Sequence, residues 1–336
     1  MRAPGGGVVR VVITGVGWAV GDGGGDPVPA TAPAGHPPPE RGMRHKDRSS
    51  RSALRVARRA LEDAGLLGAP ELDGAAVVVS SNYGNLEAVC DCVTAITTGR
   101  SRDISPMRVP QLSSAVAAAW VAIDHGIRGP NLTLCNGASG GLDAVAAARN
   151  LIAAGRATAA LVIGVEPDAP PVARLHEETG GGRWFDGAVA LVVEPLPAAE
   201  RRGARIRVEI AGYGRAGDER SAVRTAVRAA GTGAGAGAAV RRRLADEPTA
   251  RFGRCSGALG VMQCALAVES PAGPREDGSR DGPQGESPGA SLGASLGGPY
   301  DGAVLAVAGA GTGESDGTSV AALVLAPPRG PGRRHP

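Results

Sequence analysis

The residues from Ile104 to Gly164 read ISPMRVPQLSSAVAAAWVAIDHGIRGPNLTLCNGASGGLDAVAAARNLIAAGRATAALVIG. Within this stretch, the apolar run Leu132 to Leu134 predicts a strand, and the Ala-rich run Leu142 to Ala154 predicts a helix with apolar faces. A second strand is predicted at Ala159 to Gly164. Because a strand, a helix and a strand follow one another, the segment predicts an α/β layered fold.

The same alternation continues on both sides of this segment. Further strands are predicted at Val8–Gly15, Ala75–Ser80, Ala188–Val193, Ile206–Gly212, Ala303–Ala308 and Val320–Leu325, and further helices at Ser50–Ala64, Ser221–Ala230 and Gly257–Val268. The two halves of the chain therefore have a similar order of elements, although no residue-level repeat links them. The Gly/Pro-rich stretches Gly21–Gly42 and Ser270–Pro299 predict loops.

The composition limits both the core and the partners. The chain has 336 residues, with 53 Gly, 26 Pro and only two Phe, three Tyr and three Trp, so its core must be packed from Ala, Val, Leu and Ile. Lys and Arg number 36 against 33 Asp and Glu. This near balance predicts no nucleic-acid surface.

The cysteines and the lengths of the apolar runs predict in which cellular compartment the protein is found. Five cysteines, at Cys90, Cys92, Cys135, Cys255 and Cys264, form no CxxC pair and no zinc-like spacing with histidine, so no metal site is predicted and reduced thiols are expected. No apolar run reaches the ~18 residues of a membrane helix, and residues 1–7 do not resemble a secretory signal. The sequence thus predicts a soluble, cytoplasmic protein without membrane association.

The segment Ile104 to Gly164 resembles the β-ketoacyl synthases. The residues that carry the resemblance are Ser105, Pro106, Val109, Pro110, Gly129, Pro130, Asn131 and Gly155. Other fragments in the family's order include FDGAVALVVEP from Phe185 and GRCSGALG from Gly253, so the resemblance spans nearly the whole chain. It implies the thiolase fold, in which two related βαβαβαββ halves form five αβαβα layers, here truncated relative to the family, and it implies a dimer.

The resemblance also implies where catalytic residues would stand. The family's nucleophilic Cys falls nine residues after Gly129, at Ala138, which has no nucleophile. The first family His matches Ala230 in AAGTG, and the second matches Arg254 in GRCSGALG. A Lys expected five residues earlier falls at Thr249. No catalytic side chain of the family is therefore intact in this alignment.

Cys135 is the fallback nucleophile, three residues before the elbow. Aligning Cys135 with the family's nucleophile breaks the spacing to GPN and to Gly140. We therefore expect Cys135 to be a small buried residue whose thiol is not activated. The histidines His36, His45, His125, His176 and His335 are each interpreted as surface or packing residues, and the pair Glu177 and Glu178 as a solvated helix end. The Gly-rich stretches at Gly231–Gly237 and Gly309–Gly317 lack the pattern of a nucleotide-binding loop, so no cofactor is predicted.

These observations predict three domain segments and leave three functions open. A ketosynthase-like half spans residues 1–200, a second half spans 201–327 with a low-complexity loop at 270–299, and a tail spans 328–336.

The sequence ASGGLDA at Ala138 to Ala144 resembles the inactive chain-length factors of type II polyketide ketosynthases, although those usually carry Gln where Ala138 stands. The first hypothesis is a non-catalytic partner of an active ketosynthase, as a heterodimer or a homodimer, working with an acyl carrier protein in polyketide or fatty-acid-type biosynthesis. The alternatives are a condensing enzyme that uses Cys135 and a decayed relic.

Overall fold

The computed structural model describes residues 9–20, 43, 46–178, 182–233, 240–244, 247–269, 303–309 and 319–327. The first half contains, in chain order, β1 (Val11–Val20), α1 (Arg48–Ala64), β2 (Ala76–Ser80), α2 (Leu86–Thr97), α3 (Val116–His125), β3 (Asn131–Leu134), α4 (Gly140–Ala153), β4 (Ala160–Glu166), α5 (Pro170–Glu178), β5 (Gly187–Pro195) and α6 (Leu196–Arg201). The second half contains β6 (Val208–Ala216), α7 (Glu219–Gly233), β7 (Val240–Leu244), α8 (Glu247–Phe252), α9 (Leu259–Glu269), β8 (Ala303–Gly309) and β9 (Val320–Ala326). Short 3-10 helices lie at Pro106–Leu112, Gly137–Ser139 and Ser256–Ala258.

All the predicted strands are confirmed, with shifts of a few residues at their ends. The structure adds β7, whose sequence VRRRL the sequence analysis did not assign to a strand because three charged residues interrupt the apolar pattern. The predicted loop at 270–299 and the tail at 328–336 lie outside the described residues.

The strands form one sheet in the order β3-β2-β4-β5-β1-β6-β9-β8-β7. β3, β2 and β4 are parallel, and β5 is antiparallel to both β4 and β1. The two halves meet where β1 pairs with β6, at Val12–Glu209 and Ile13–Val208. The order β7-β8-β9-β6 in the second half repeats the order β2-β4-β5-β1 of the first, and the described residues of the second half include no counterpart of β3.

The alternation of side chains along the strands produces five layers. In β2, Val77 and Val79 pack with α1 and α3 on one face, whereas Ala76 and Val78 pack with α4 on the other. The helices α4 and α9 contact each other and belong to the central cluster, which also takes side chains from β8 and β9. The helix α7 covers the far face of β6 and β9. The resulting α-β-α-β-α arrangement confirms the fold predicted from the resemblance.

The sequence specifies the outer helix α1 locally. The Asp47 side chain accepts a 2.6 Å hydrogen bond from the Ser50 backbone and caps the first turn, and Gly65 ends the helix with φ 68°. Between these caps, Leu54 and Leu61 lie on a buried stripe against the sheet.

The two central helices approach each other closely at a pair of glycines near their starts. A Cβ atom on Gly141 would lie 2.6 Å from the backbone nitrogen of Gly260, and one on Gly260 would lie 2.2 Å from that of Leu142. Only glycine allows this approach, which places the starts of α4 and α9 side by side. The candidate site lies at these helix starts.

Candidate functional site

The first part of the site is the turn between β3 and α4. Gly137 begins the 3-10 helix with φ 66°, and Ala138 follows at the position where the family's nucleophile is expected. The Ala138 side chain is only 4% exposed and belongs to the central apolar cluster together with Cys255 and Ala258. A buried methyl group can neither attack a thioester nor transfer a proton.

The buried carboxylate of Asp143 fixes this turn to the second half of the chain. Asn136 Nδ2 and Ser139 Oγ each donate to Asp143 Oδ2 at 3.1 Å. From β6, the Tyr213 hydroxyl donates to Asp143 Oδ1, and Arg215 forms an ion pair with Oδ2 at 2.9 Å. Burial raises the pKa of Tyr213, and the hydrogen bond to Asp143 raises it further, so the phenol stays protonated and keeps donating.

The second part of the site is the turn that precedes α9. Ser256 opens this turn with φ 46°, the only non-glycine residue with positive φ among the described residues. Asn82 connects the two turns, since its Oδ1 accepts from the Gly137 backbone at 3.1 Å and its Nδ2 donates to Ser256 Oγ at 2.7 Å. The structure thus brings the turns that carry Ala138 and Arg254 to one region.

Arg254 lies in an aromatic cluster. Its guanidinium carbon is 4.7 Å from the ring centroid of Trp184, and His176 stacks on Trp184. Tyr83 contacts both rings edge-on, at 5.5 Å from His176 and 6.2 Å from Trp184. Burial lowers the pKa of His176 to about 4, with a further contribution from the charge of Arg254, so this imidazole is neutral near pH 7.

Of the two interpretations that the sequence allows for His176, surface or packing, the structure shows packing, since the side chain is buried within this cluster. The sequence signal that could have pointed to the cluster is the small number of aromatic residues, because Tyr83 and Trp184 are two of only eight Phe, Tyr and Trp residues in the chain. Glu177 and Glu178, predicted as a solvated helix end, are exposed. Next to the cluster, a cavity of about 390 Å³ is lined by Phe185, Phe252 and Asp186, among others.

Glu166, at the end of β4, is a functional candidate that the sequence analysis missed. Its Oε1 accepts from the backbone of Asn82 at 2.8 Å and of Gly257 at 2.9 Å. Its Oε2 accepts from the Tyr83 backbone at 3.1 Å and from Ser81 Oγ at 3.3 Å. Burial raises the pKa of Glu166 to about 7, although these four donors act in the opposite direction.

Cys135 differs from the expectation. We predicted a small buried residue, but Cys135 is exposed, because it follows the last residue of the edge strand β3. Partial desolvation raises the pKa of the thiol, and the negative charge of Glu166 raises it further. The thiolate fraction near pH 7 is therefore below that of an ordinary cysteine, and the environment does not activate this residue.

The other two predicted positions lie elsewhere. Ala230 is buried within α7, against Gly212 of β6, in the apolar cluster on the outer face of the sheet. It therefore does not share a site with Ala138, which lies on the inner face. Thr249 lies in α8, where its carbonyl oxygen accepts from Gly253 at 2.9 Å. Most of the Gly-rich stretches 231–237 and 309–317 lies outside the described residues.

The described ranges contain no group of three or more His, Cys, Asp or Glu side chains arranged to hold a metal ion. None of their helices combines the length and the apolar character that crossing a bilayer requires.

Comparison with known proteins agrees with this geometry. Residues 35–176 match the model of the β-ketoacyl synthase N-terminal domain. The chain is 32% identical over 196 residues to 3-oxoacyl-[acyl-carrier-protein] synthase 2 of Rhizobium meliloti and 29% identical over 189 residues to that of Coxiella burnetii. Each alignment covers 49% of this chain, and 45% and 46% of those relatives. The chain thus aligns with less than half the length of these relatives.

Solved structures share the fold over nearly the whole chain. A β-ketoacyl synthase from Burkholderia phymatum superposes with a TM-score of 0.67 at 18% identity, covering 96% of this chain and all of that one. The ishigamide ketosynthase/chain length factor gives 0.68 at 18% identity, with 96% and 100% coverage. A type II polyketide acyl-carrier protein in complex with its ketosynthase gives 0.70 at 17% identity, with 95% and 100% coverage.

The five layers and the paired helix starts define a thiolase-like fold. Within that fold, the match over residues 35–176 and the two curated relatives make the chain similar to the β-ketoacyl synthase family.

Proposed function

We propose that this chain is a non-catalytic ketosynthase-like subunit that pairs with an active ketosynthase and shapes its acyl-binding volume. The pathway would be polyketide or fatty-acid-type biosynthesis. Two groups of similar proteins support this choice. The curated relatives are 3-oxoacyl-[acyl-carrier-protein] synthases, and the solved structures with the same fold include the ishigamide ketosynthase/chain length factor.

One observation carries the proposal, namely the buried methyl of Ala138 at the start of α4. The turn around it keeps its hydrogen bonds to Asn82 and Asp143. The neighbouring Arg254 side chain lies over Trp184, and a guanidinium group has only N–H donors and no acceptor, so it cannot act as a general base. A scaffold that is held by many specific contacts but lacks a nucleophile supports a role in assembly rather than in acyl transfer.

The edge strand β3 offers a surface for the partner. Leu132 is 39% exposed, and α2 and the 3-10 helix Pro106–Leu112 expose Val93, Ile96, Met107 and Val109. The 3-10 helix contacts α2 and α3, and α3 contacts β3. An exposed edge strand with flanking apolar side chains favours pairing with another chain. At the other end of the sheet, β7 has the sequence VRRRL, and a charged edge of this kind opposes pairing.

A basic cleft supports an interaction with an acyl carrier protein. Lys46, Arg48, Arg51 and Arg108 line a cavity of about 410 Å³ together with only two acidic residues, Asp47 and Glu87. Such an excess of cations favours a partner with an anionic surface or a phosphate-linked arm. The complex of a ketosynthase with its acyl-carrier protein among the structural relatives agrees with this partner.

The proposal is tested by co-expressing this chain with the active ketosynthase encoded nearest to it. Size-exclusion chromatography with light scattering then measures the assembly, and product analysis with the carrier protein measures acyl length. We expect a heterodimer whose products differ in length from those of the ketosynthase alone. A chain that never joins the ketosynthase, or joins it without any effect on the products, contradicts the proposal.

A second measurement separates this function from the condensing-enzyme hypothesis. The isolated chain is incubated with an acyl-carrier thioester and analysed by intact mass. We expect no acyl adduct, because Ala138 has no nucleophile and the raised pKa of Cys135 disfavours its thiolate. An adduct that disappears in a Cys135→Ser variant would establish acyl transfer by this chain instead.

A further inference from the structure

The carboxyl group of Glu166 lies where three parts of the candidate site meet. It ends β4, contacts the turn 81–83 that follows β2, and contacts the turn that opens α9 in the second half. The side chain is buried, and it accepts its hydrogen bonds from three backbone N–H groups and one hydroxyl. When Glu166 is ionised, these four hydrogen-bond donors stabilise its buried carboxylate.

We propose that Glu166 forms a pH-dependent connection between the two halves of the chain. Binding of one proton to Oε2 weakens the hydrogen bond from the Tyr83 backbone N–H, while the hydrogen bonds from Asn82 and Gly257 to Oε1 remain. This inference does not depend on the proposed partner role. It concerns only how the two halves of the chain are connected at the candidate site.

The geometry identifies the oxygen that takes the proton. The Oε1 contacts are 2.8 and 2.9 Å long, whereas those at Oε2 are 3.1 and 3.3 Å, so Oε2 is the less strongly bound oxygen. After protonation, the new O–H can donate to Ser81 Oγ, because a hydroxyl can change from donor to acceptor. The Tyr83 N–H can only donate, and after protonation it faces a neutral hydroxyl oxygen, which is a weaker acceptor than a carboxylate oxygen.

The weakened contact leads directly to the aromatic cluster. The Tyr83 ring packs edge-on against His176 and Trp184, and Arg254 lies on Trp184. A change at the Tyr83 backbone therefore reaches the residue that occupies the second family histidine position. Glu166 and this cluster can be coupled without any covalent step.

The ionisable groups around Glu166 allow its titration to be observed separately. Cys135, on the segment after β3, titrates at higher pH because its pKa is raised, and His176, on α5, titrates at about 4. Arg254, which precedes the α9 turn, is the cation of this region and lies over Trp184. The pKa of about 7 for Glu166 lies between those of the two titrating neighbours.

Amide hydrogen exchange of the full chain, resolved to single residues, tests the proposal between about pH 5.5 and 8.5. After correction for intrinsic exchange, we expect protection of the Tyr83 amide to fall about fivefold or more on going from about pH 8 to 6. Protection of the Asn82 amide, which hydrogen-bonds to Oε1, should stay constant and serves as an internal control.

Two variants assign the effect. Glu166→Gln should abolish the pH dependence at Tyr83, and Glu177→Gln, an exposed acid on α5, should retain it. If Glu166→Gln fails to fold, infrared difference spectra of the wild-type chain give an independent test, because a protonated carboxyl band must appear with the same midpoint. Constant protection at Tyr83, or equal loss at Asn82 and Tyr83, overturns the proposal.

Discussion

Among single residues, Gly141 and Gly260 determine how closely the two central helices approach. A methyl group on Gly141 would lie 2.6 Å from the Gly260 nitrogen and 2.8 Å from the Val261 nitrogen, both of which are backbone atoms that cannot rotate away. We expect Gly141→Ala to lower the free energy of unfolding by about 1–3 kcal/mol, measured by urea denaturation followed by circular dichroism. The exposed Asn150→Ala on the same helix should change it by less than about 0.5 kcal/mol. An unchanged midpoint for Gly141→Ala would contradict the close approach.

The sequence allowed some of these residues to be located and not others. Ala138 and Arg254 could be placed because each has flanking motifs with fixed spacing, GPN before one and GRCSGALG around the other. Glu166 and His176 could not, because their roles depend on burial and on contacts from distant segments, Asn82 for Glu166 and Tyr83 for His176. The AAGTG match led to Ala230, since a short Gly-rich motif does not reveal which face of the sheet its helix covers.

Among elements, the strands could be predicted well because runs of Val, Ile and Leu bounded by glycines identify buried strands. The strand β7 could not, because its pairing with β8 depends on a segment far along the chain. The helix α2 was also missed, and only one of its residues, Ala88, is buried.

The edge strand β3 gives the second prediction. If the partner pairs along β3, a charge at Leu132 must be buried in the interface without a counter-charge. We expect Leu132→Arg to weaken the complex with the ketosynthase at least tenfold, measured by size-exclusion chromatography over a concentration series. Leu67→Arg is a matched control, because Leu67 is 40% exposed and lies after α1, outside this surface. Equal assembly by both variants would exclude β3 as the interface, whereas loss of both would indicate a general folding defect.

For the whole molecule, two buried groups make stability depend on pH with opposite signs. The pKa of Glu166 is raised to about 7, so the folded state binds its proton more tightly than the unfolded state does, and stability falls as pH rises toward about 7. The pKa of His176 is lowered to about 4, so the unfolded chain binds this proton first as pH falls. Stability therefore also falls from about pH 6.5 toward 4 through His176.

A His176→Phe variant isolates the second effect, because phenylalanine keeps an aromatic ring against Trp184 but does not titrate. Glu166 is present in both proteins, so its contribution cancels in the difference between their free energies of unfolding. We expect this difference to be constant above about pH 7 and then to change in favour of His176→Phe by at most ~1.4 kcal/mol per pH unit between about pH 6 and 4. Urea denaturation at each pH measures it. A difference that stays flat down to about pH 4 would mean that His176 is protonated as easily in the folded chain as in the unfolded one, and would refute its burial between Trp184 and Tyr83.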